Sequence, residues 1–385
     1  MDRRKYKYAV LYNFSYMSIG AFLPLVGQYM SAIGFSGSQI GSITATGTAV
    51  AIFASAFWGR CYSAAGRKYA ILMMLCIMSS AVCFVLKGIN EYAVFLVTFG
   101  IMYFFQAPVM SLTDAFTVEM NRDFGGLRAW GAVGFALGVF LAGICVDIFD
   151  LSIIFWFYIV SFILAACAVA GIGKEKRSGS IKKAEEPRKA SGGYIAVLKN
   201  KKLRYLIICA FFMGGTNVAN NTYFSFLYIE GGGTVAGVGT AMLLMVGSEV
   251  PFMAWCSRLS KRFTTEKLLA AAMMISAARF MLYGTGLPWW GLICLFFTQG
   301  AVNGIILIEF VRYAAELSER GYENLAISAY YIIGSNLSTI CCQLIGGFIL
   351  DYASASGVYM FFGFFNLCGV ILYFIFGLYR GEKKL

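Results

Sequence analysis

The sequence predicts an all-α membrane protein with twelve transmembrane helices in two pseudo-symmetric six-helix halves. Three observations carry that prediction: apolar blocks of membrane-spanning length, a one-sided distribution of Lys and Arg, and a repeat between the halves. Of the 385 residues, 59% are hydrophobic and 13% charged, with a mean hydropathy of +0.73. A soluble domain carries about 25% charged residues. The apolar residues arrive in blocks of roughly 20, the length that crosses about 30 Å of hydrocarbon.

Apolar blocks and polar breaks place the first six spans at 8–33, 38–59, 69–87, 91–117, 126–147 and 152–173. A second set follows at 205–229, 234–257, 267–285, 287–312, 323–349 and 357–379. The basic start followed by an apolar run has the outline of a signal peptide. The run is too long for the apolar core of one and no A-x-A site follows, so it is read as the first span. Residues 1–173 and 205–385 form the two halves. Residues 174–204, charged and bearing Ser, Gly and Pro, form a linker with a short surface helix.

With the N-terminus in the cytoplasm, every Lys and Arg except Lys87 and Arg279 falls in a cytoplasmic segment. The positive-inside rule then puts both termini in the cytoplasm. The formal charge of +12 is a topology signal, and nucleic acid is excluded as a partner. The eleven cysteines sit mostly inside apolar blocks without disulfide or metal spacing, and read as small core hydrophobes. No nucleophile–base pair or metal cluster is present, so neither an enzyme nor a cofactor is expected.

The halves repeat. The loop after the second span reads GRCYSAAGRKYAIL and that after the eighth SRLSKRFTTEKLL, while the fifth and eleventh spans each end on an outer aspartate, Asp147 and Asp351. Two parallel six-helix halves joined by a cytoplasmic linker place a substrate site at the midplane between them.

Charged residues inside spans are the candidate functional residues, because each costs at least ~2.5–3.5 kcal/mol at the bilayer centre unless paired or hydrated. Glu249 lies nine residues from Arg258, and Arg279 twelve from Lys267. These offsets are about 13 and 18 Å by helical rise, near mid-bilayer on adjacent spans. A proton-coupling role and a purely architectural ion pair both fit. Asp114 and Arg128 sit at matching depths of about 10 and 8 Å across a hairpin loop, so a pair between them is feasible. A cap plus a positive-inside arginine is the plainer reading. Glu309 fits an i,i+3 surface pair with Arg312. Glycine-rich runs such as WGAVGFALGVFLAG read as close helix packing. Asn217, Asn220 and Asn221 share one helix face with the spacing i, i+3, i+4, which suits either a cavity lining or glue between helices.

On these residues the chain resembles a major facilitator transporter of the lactose permease and phenylpropionate permease group over nearly its whole length. GAFLPL in the first span is similar to that group's G-A-x-x-P pattern. DAFTVEMNRDFGGLRAWGAVGFALG resembles the segment in which a carboxylate and an arginine bind sugar hydroxyls and an aromatic ring stacks on the sugar. The resemblance implies Asp114 as the carboxylate, Arg128 as the arginine and Phe135 as the aromatic. SEVPFMAWCSRLSKRF with SAARFMLYGTGLPWW resembles the phenylpropionate-type glutamate and arginine, implying Glu249 and Arg279.

The sequence also departs from that pattern. Ser63 stands where the loop after the second span usually has an aspartate. Gln299 and Val302 stand where lactose permease carries a histidine and a glutamate, and Asn217 and Asn220 replace seventh-helix aspartates. Lactose-type coupling groups are therefore missing, and Glu249 is the remaining proton carrier, tuned by the proximity of Arg279.

The expectation is a secondary transporter that imports a small polar solute (a sugar, oligosaccharide or nucleoside) by alternating access with proton coupling. Asp114, Arg128, Phe135, Asn217, Asn220 and Gln299 would bind substrate, and Glu249 and Arg279 would couple protons or another ion. An importer of an aromatic carboxylate, a drug or metabolite exporter, and a solute sensor that signals without transport are the alternatives. The last lacks room for a cytoplasmic output domain. A monomer in a bacterial cytoplasmic membrane is the expected state, with no metal site.

Overall fold

The computed structural model describes residues 3–120, 124–175, 199–318 and 322–380. Among these residues the secondary structure is helical, without strands. The helices are α1 (Arg3–Ala32), α2 (Gly37–Ala64), α3 (Lys68–Leu86), α4 (Tyr92–Met120), α5 (Phe124–Ile148) and α6 (Ile153–Glu175). The second set comprises α7 (Lys201–Glu230), α8 (Val235–Arg262), α9 (Thr265–Tyr283), the short α10 (Trp289–Cys294) and α11 (Phe296–Glu316). It ends with α12 (Glu323–Tyr352) and α13 (Ala355–Ile375). The expected linker helix lies largely within residues 176–198, outside the described residues.

Eight of the helices, α1 to α6, α12 and α13, are long and apolar enough to cross a membrane. The others carry the polar residues that lower their hydropathy: Asn217, Asn220 and Asn221 in α7, Glu249 in α8, Arg279 in α9 and Glu309 in α11. The expected tenth span is interrupted at Leu295, where Leu295 N bonds Leu292 O and Thr298 N bonds Leu295 O in the tighter i→i+3 pattern. Within α12, Tyr330–Leu337 is wound as a π-helix.

The chain divides into two compact units, Met1–Lys183 with Thr234–Leu243, and Ala184–Gly233 with Leu244–Leu385. Each uses the same internal pairing. In the first, α1 packs on α5 and α6, and α3 on α4 and α6. In the second, α7 packs on α12 and α13, and α9 on α11 and α13. Advancing each helix of the first scheme six spans gives the second, which makes the repeat read in the sequence a structural one.

The glycine-rich run of α5 is a packing surface. A Cβ at Gly134 would overlap the carbonyl of Asn13 in α1, and one at Gly20 would overlap that of Phe135. The equivalent α7–α12 contact uses the same device, since a Cβ at Gly214 would overlap the Gly334 carbonyl. Backbones this close gain dispersion contacts that larger side chains would prevent.

Each unit contains a network of buried polar residues that partner one another. Tyr158 of α6 meets Ser79 of α3 at 2.5 Å and donates to Gln106 of α4 at 3.1 Å. In the second unit, Thr216 donates to Asn366 Oδ1 at 2.8 Å, and Asn366 Nδ2 donates to Ser276 at 2.9 Å. Both networks join three helices with neutral groups, the arrangement that gives buried polar atoms partners.

Candidate functional site

The candidate residues fall into two clusters, one in each unit. The first is built on α1, α4 and α5. Arg128 Nη1 donates to Asp114 Oδ2 at 2.9 Å. Both side chains are partly exposed at the protein's surface, Arg128 at 54% and Asp114 at 22%. An ion pair so exposed contributes only about 0.2–1 kcal/mol to stability. The pair presents a carboxylate and a planar guanidinium fork side by side.

Tyr12 supports this pair from α1. Its hydroxyl donates to Asp114 Oδ1 at 2.8 Å, so Asp114 takes Tyr12 on one oxygen and Arg128 on the other. Tyr12 is fully buried, and its ring stacks on Tyr16 at 6.2 Å. Tyr8 packs on Phe116 of α4 with ring centroids 6.0 Å apart. The i, i+4, i+8 spacing of Tyr8, Tyr12 and Tyr16 puts all three on one face of α1. That spacing is the sequence signal for Tyr12, which carries no charge to mark it among the intramembrane candidates. Phe135 is half-buried on α5, seven residues from Arg128 and so on nearly the same helix face.

The second cluster is built on α7, α8, α9 and α11. Asn303 Nδ2 donates to Glu249 Oε1 at 2.7 Å. The close approach of α8 and α11 that allows this passes through Gly300, where a Cβ would lie 2.5 Å from Ser248 Oγ. Arg279 is 2% exposed and donates from Nη2 to Asn217 Oδ1 at 3.4 Å. Its guanidinium lies over the Phe280 ring at 4.4 Å and the Tyr283 ring at 5.8 Å. Its Nε and Nη1 are buried without a hydrogen-bond acceptor among the described residues. Arg279 and Glu249 are near enough to interact electrostatically, yet each is held by an asparagine from a different helix.

The remaining candidates separate. Asn217 faces Arg279, whereas Asn220, at 2% exposure, accepts a 2.7 Å bond from Tyr359 of α13 and lies 4.0 Å from Met245 Sδ of α8. Asn220 thus joins helices rather than facing solvent. Gln299 is buried on α11, four residues before Asn303 on the same face. Glu309 is fully buried instead of lying at the surface, and Arg312 Nε bonds Glu316 at 3.2 Å. The surface i,i+3 pair expected for Glu309 is corrected accordingly. The hydropathy of α11 does not fix its rotation against its neighbours, and that rotation decides which face is buried.

A repeated helical bundle crossing a membrane, with charged and amide groups clustered inside each unit, defines a protein of the membrane-transporter class. The chain belongs to the MFS_1 like family, which it matches over residues 5–361. It is 28% identical over 381 residues to a maltose permease of Geobacillus stearothermophilus, covering 96% of this chain and 93% of that one. It is 25% identical over 358 residues to a protein of Escherichia coli (strain K12) named "Probable 3-phenylpropionic acid transporter", covering 89% of each. In fold it is similar to a crystal structure of a mutant form of nucleoside transporter NupG. The TM-score there is 0.85 and the identity 16%, over 98% of this chain and 100% of that one. The chain is a multi-pass membrane transporter of the major facilitator type and not an enzyme.

Proposed function

We propose that this transporter imports a small polar solute, a sugar, oligosaccharide or nucleoside, across a bacterial cytoplasmic membrane by proton-coupled alternating access. The observation that carries the reading is the Asp114–Arg128 pair, a partly exposed carboxylate and guanidinium held 2.9 Å apart and braced by Tyr12. Such a pair can accept from one hydroxyl and donate to its neighbour on a single ring. Phe135, two turns along α5 on nearly the same face, supplies the aromatic ring in this reading. The maltose permease relative supports a sugar as the substrate class. Glu249 is the proton carrier in this reading, with Arg279 as its electrostatic neighbour, and both termini lie in the cytoplasm.

The unmatched Nε and Nη1 of Arg279 favour a second reading, in which an aromatic carboxylate is the cargo. The guanidinium would take the carboxylate while Phe280 and Tyr283 flank the aryl group.

Uptake into proteoliposomes separates the readings. With an inward proton gradient, labelled maltose or uridine should accumulate above equilibrium, and Glu249→Gln should abolish accumulation while preserving exchange. Accumulation of 3-phenylpropionate alone would establish the second reading. No proton-dependent accumulation of any of them would overturn the coupling assignment.

A further inference from the structure

We propose that Asn303 is a positioning residue that, with Asn217, holds the Glu249 carboxylate and the Arg279 guanidinium apart, so that the two pair only in another state of the transport cycle. The proposal rests on the reading of Glu249 as the coupling carboxylate. Its geometry, however, stands on its own.

Four groups from four helices carry it. Asn303 of α11 donates to Glu249 of α8 at 2.7 Å, and Asn217 of α7 accepts from Arg279 of α9 at 3.4 Å. The second contact is at the long end of hydrogen-bond geometry. Two further guanidinium nitrogens, Nε and Nη1, have no acceptor among the described residues. A buried guanidinium left this incomplete is costly, and a carboxylate is its natural acceptor because it can bind the fork through two oxygens. The nearby carboxylate, Glu249, does not make an ion pair with it within 4 Å. Its Oε1 is instead engaged by a neutral amide.

In a poorly hydrated setting, attraction between opposite charges exceeds a single hydrogen bond to a neutral donor. The open arrangement therefore needs a geometric restraint, and Gly300 supplies one. It lets α11 approach α8 closely at Ser248, and that seats Asn303, about one turn further along, against the carboxylate. In the alternate state a displacement of α8 relative to α9 exchanges the Asn303 bond for the Arg279 fork. Two discrete partners for one carboxylate form the kind of bistable element that a conformational cycle needs.

A thermal double-mutant cycle tests this without a substrate. The melting temperatures of Glu249→Gln, Arg279→Gln and the double variant are measured in the purified full-length protein, in the wild-type and Asn303→Leu backgrounds. With Asn303 present the departure from additivity should be small, because the side chains interact only at a distance and are not paired. In the Asn303→Leu background the amide is gone, and the non-additivity should grow by a few degrees as the freed carboxylate pairs with Arg279. Asn303→Ala provides the same readout if the leucine variant does not fold. Coupling that is equal in both backgrounds, or smaller without Asn303, overturns the proposal. A failure of proton-driven uptake would instead strike the coupling role of Glu249 and leave the cycle readable.

Discussion

Tyr12 and Asp114, 102 residues apart in the chain, meet through a 2.8 Å hydrogen bond from the phenol to Oδ1. Oδ2 of the same carboxylate takes the Arg128 guanidinium at 2.9 Å. Asp114 is therefore fixed from both sides, by a buried neutral donor on α1 and an exposed cation on α5. The carboxylate direction is thereby set, as preorganisation of the proposed binding site requires.

Tyr12→Phe should uncouple that orientation from the ion pair. A hydrogen bond to a charged group contributes about 1.5–3 kcal/mol, so the melting temperature should fall measurably. The affinity for a hydroxylated ligand should fall with it. A variant that binds ligand as tightly as the wild type would show that Arg128 alone orients Asp114.

Gly134→Leu tests the α1–α5 packing that carries this cluster. The new side chain would meet the Asn13 backbone, and overpacking of this kind costs typically about 1–3 kcal/mol or more. Gly59 of α2 has open space around its would-be Cβ, so Gly59→Ala should be neutral or stabilising by up to about 1 kcal/mol. Gly134→Leu should lower the melting temperature and Gly59→Ala should not, and a Gly134→Leu variant as stable as the wild type would contradict the packing role.

Glu230 joins the end of α7 to the start of α13. Its carboxylate accepts from Ala355 N at 2.7 Å and from Ser356 N at 3.2 Å, and also takes the Ser356 hydroxyl. Glu230→Ala leaves these first-turn amides without that acceptor, beside Ser354, which caps Gly357 N at 3.1 Å. The loss should be about 1–2 kcal/mol, with hydrogen exchange rising selectively in the first turn of α13. Glu230→Gln should retain part of the protection, because its amide oxygen still accepts.

The helical membrane architecture, the repeat and the Asp114–Arg128 pair were legible in the sequence for one reason. Hydrocarbon makes charge expensive, so each intramembrane charge and each basic loop stands out against an apolar background. Tyr12 and Asn303 were not legible in the same way. They are neutral and so do not stand out as charges do, and only the approach of α1 to α4 and of α8 to α11 assigns them partners. Glu309 shows the complementary limit: its charge was visible, but the rotation that buries it depends on neighbours distant in sequence. The break at Leu295 and the π-helical turn at Tyr330–Leu337 belong to the same category. Neither holds a proline, and backbone register there is settled by contact with other helices, such as that between Gly334 and Gly214.

The central claim is that Asp114 and Arg128 bind a polar solute, and ligand-induced thermal stabilisation of the purified protein against sugars, nucleosides and aromatic acids tests it most directly. A ligand at a hundred times its dissociation constant stabilises the native state by about 2.7 kcal/mol. Arg128→Ala itself should change the unliganded melting temperature little, since the pair is exposed. A sugar or nucleoside should stabilise the wild type and lose that effect in Arg128→Ala. Stabilisation by aromatic acids alone, or by any ligand equally in both proteins, would contradict it and move recognition to Arg279.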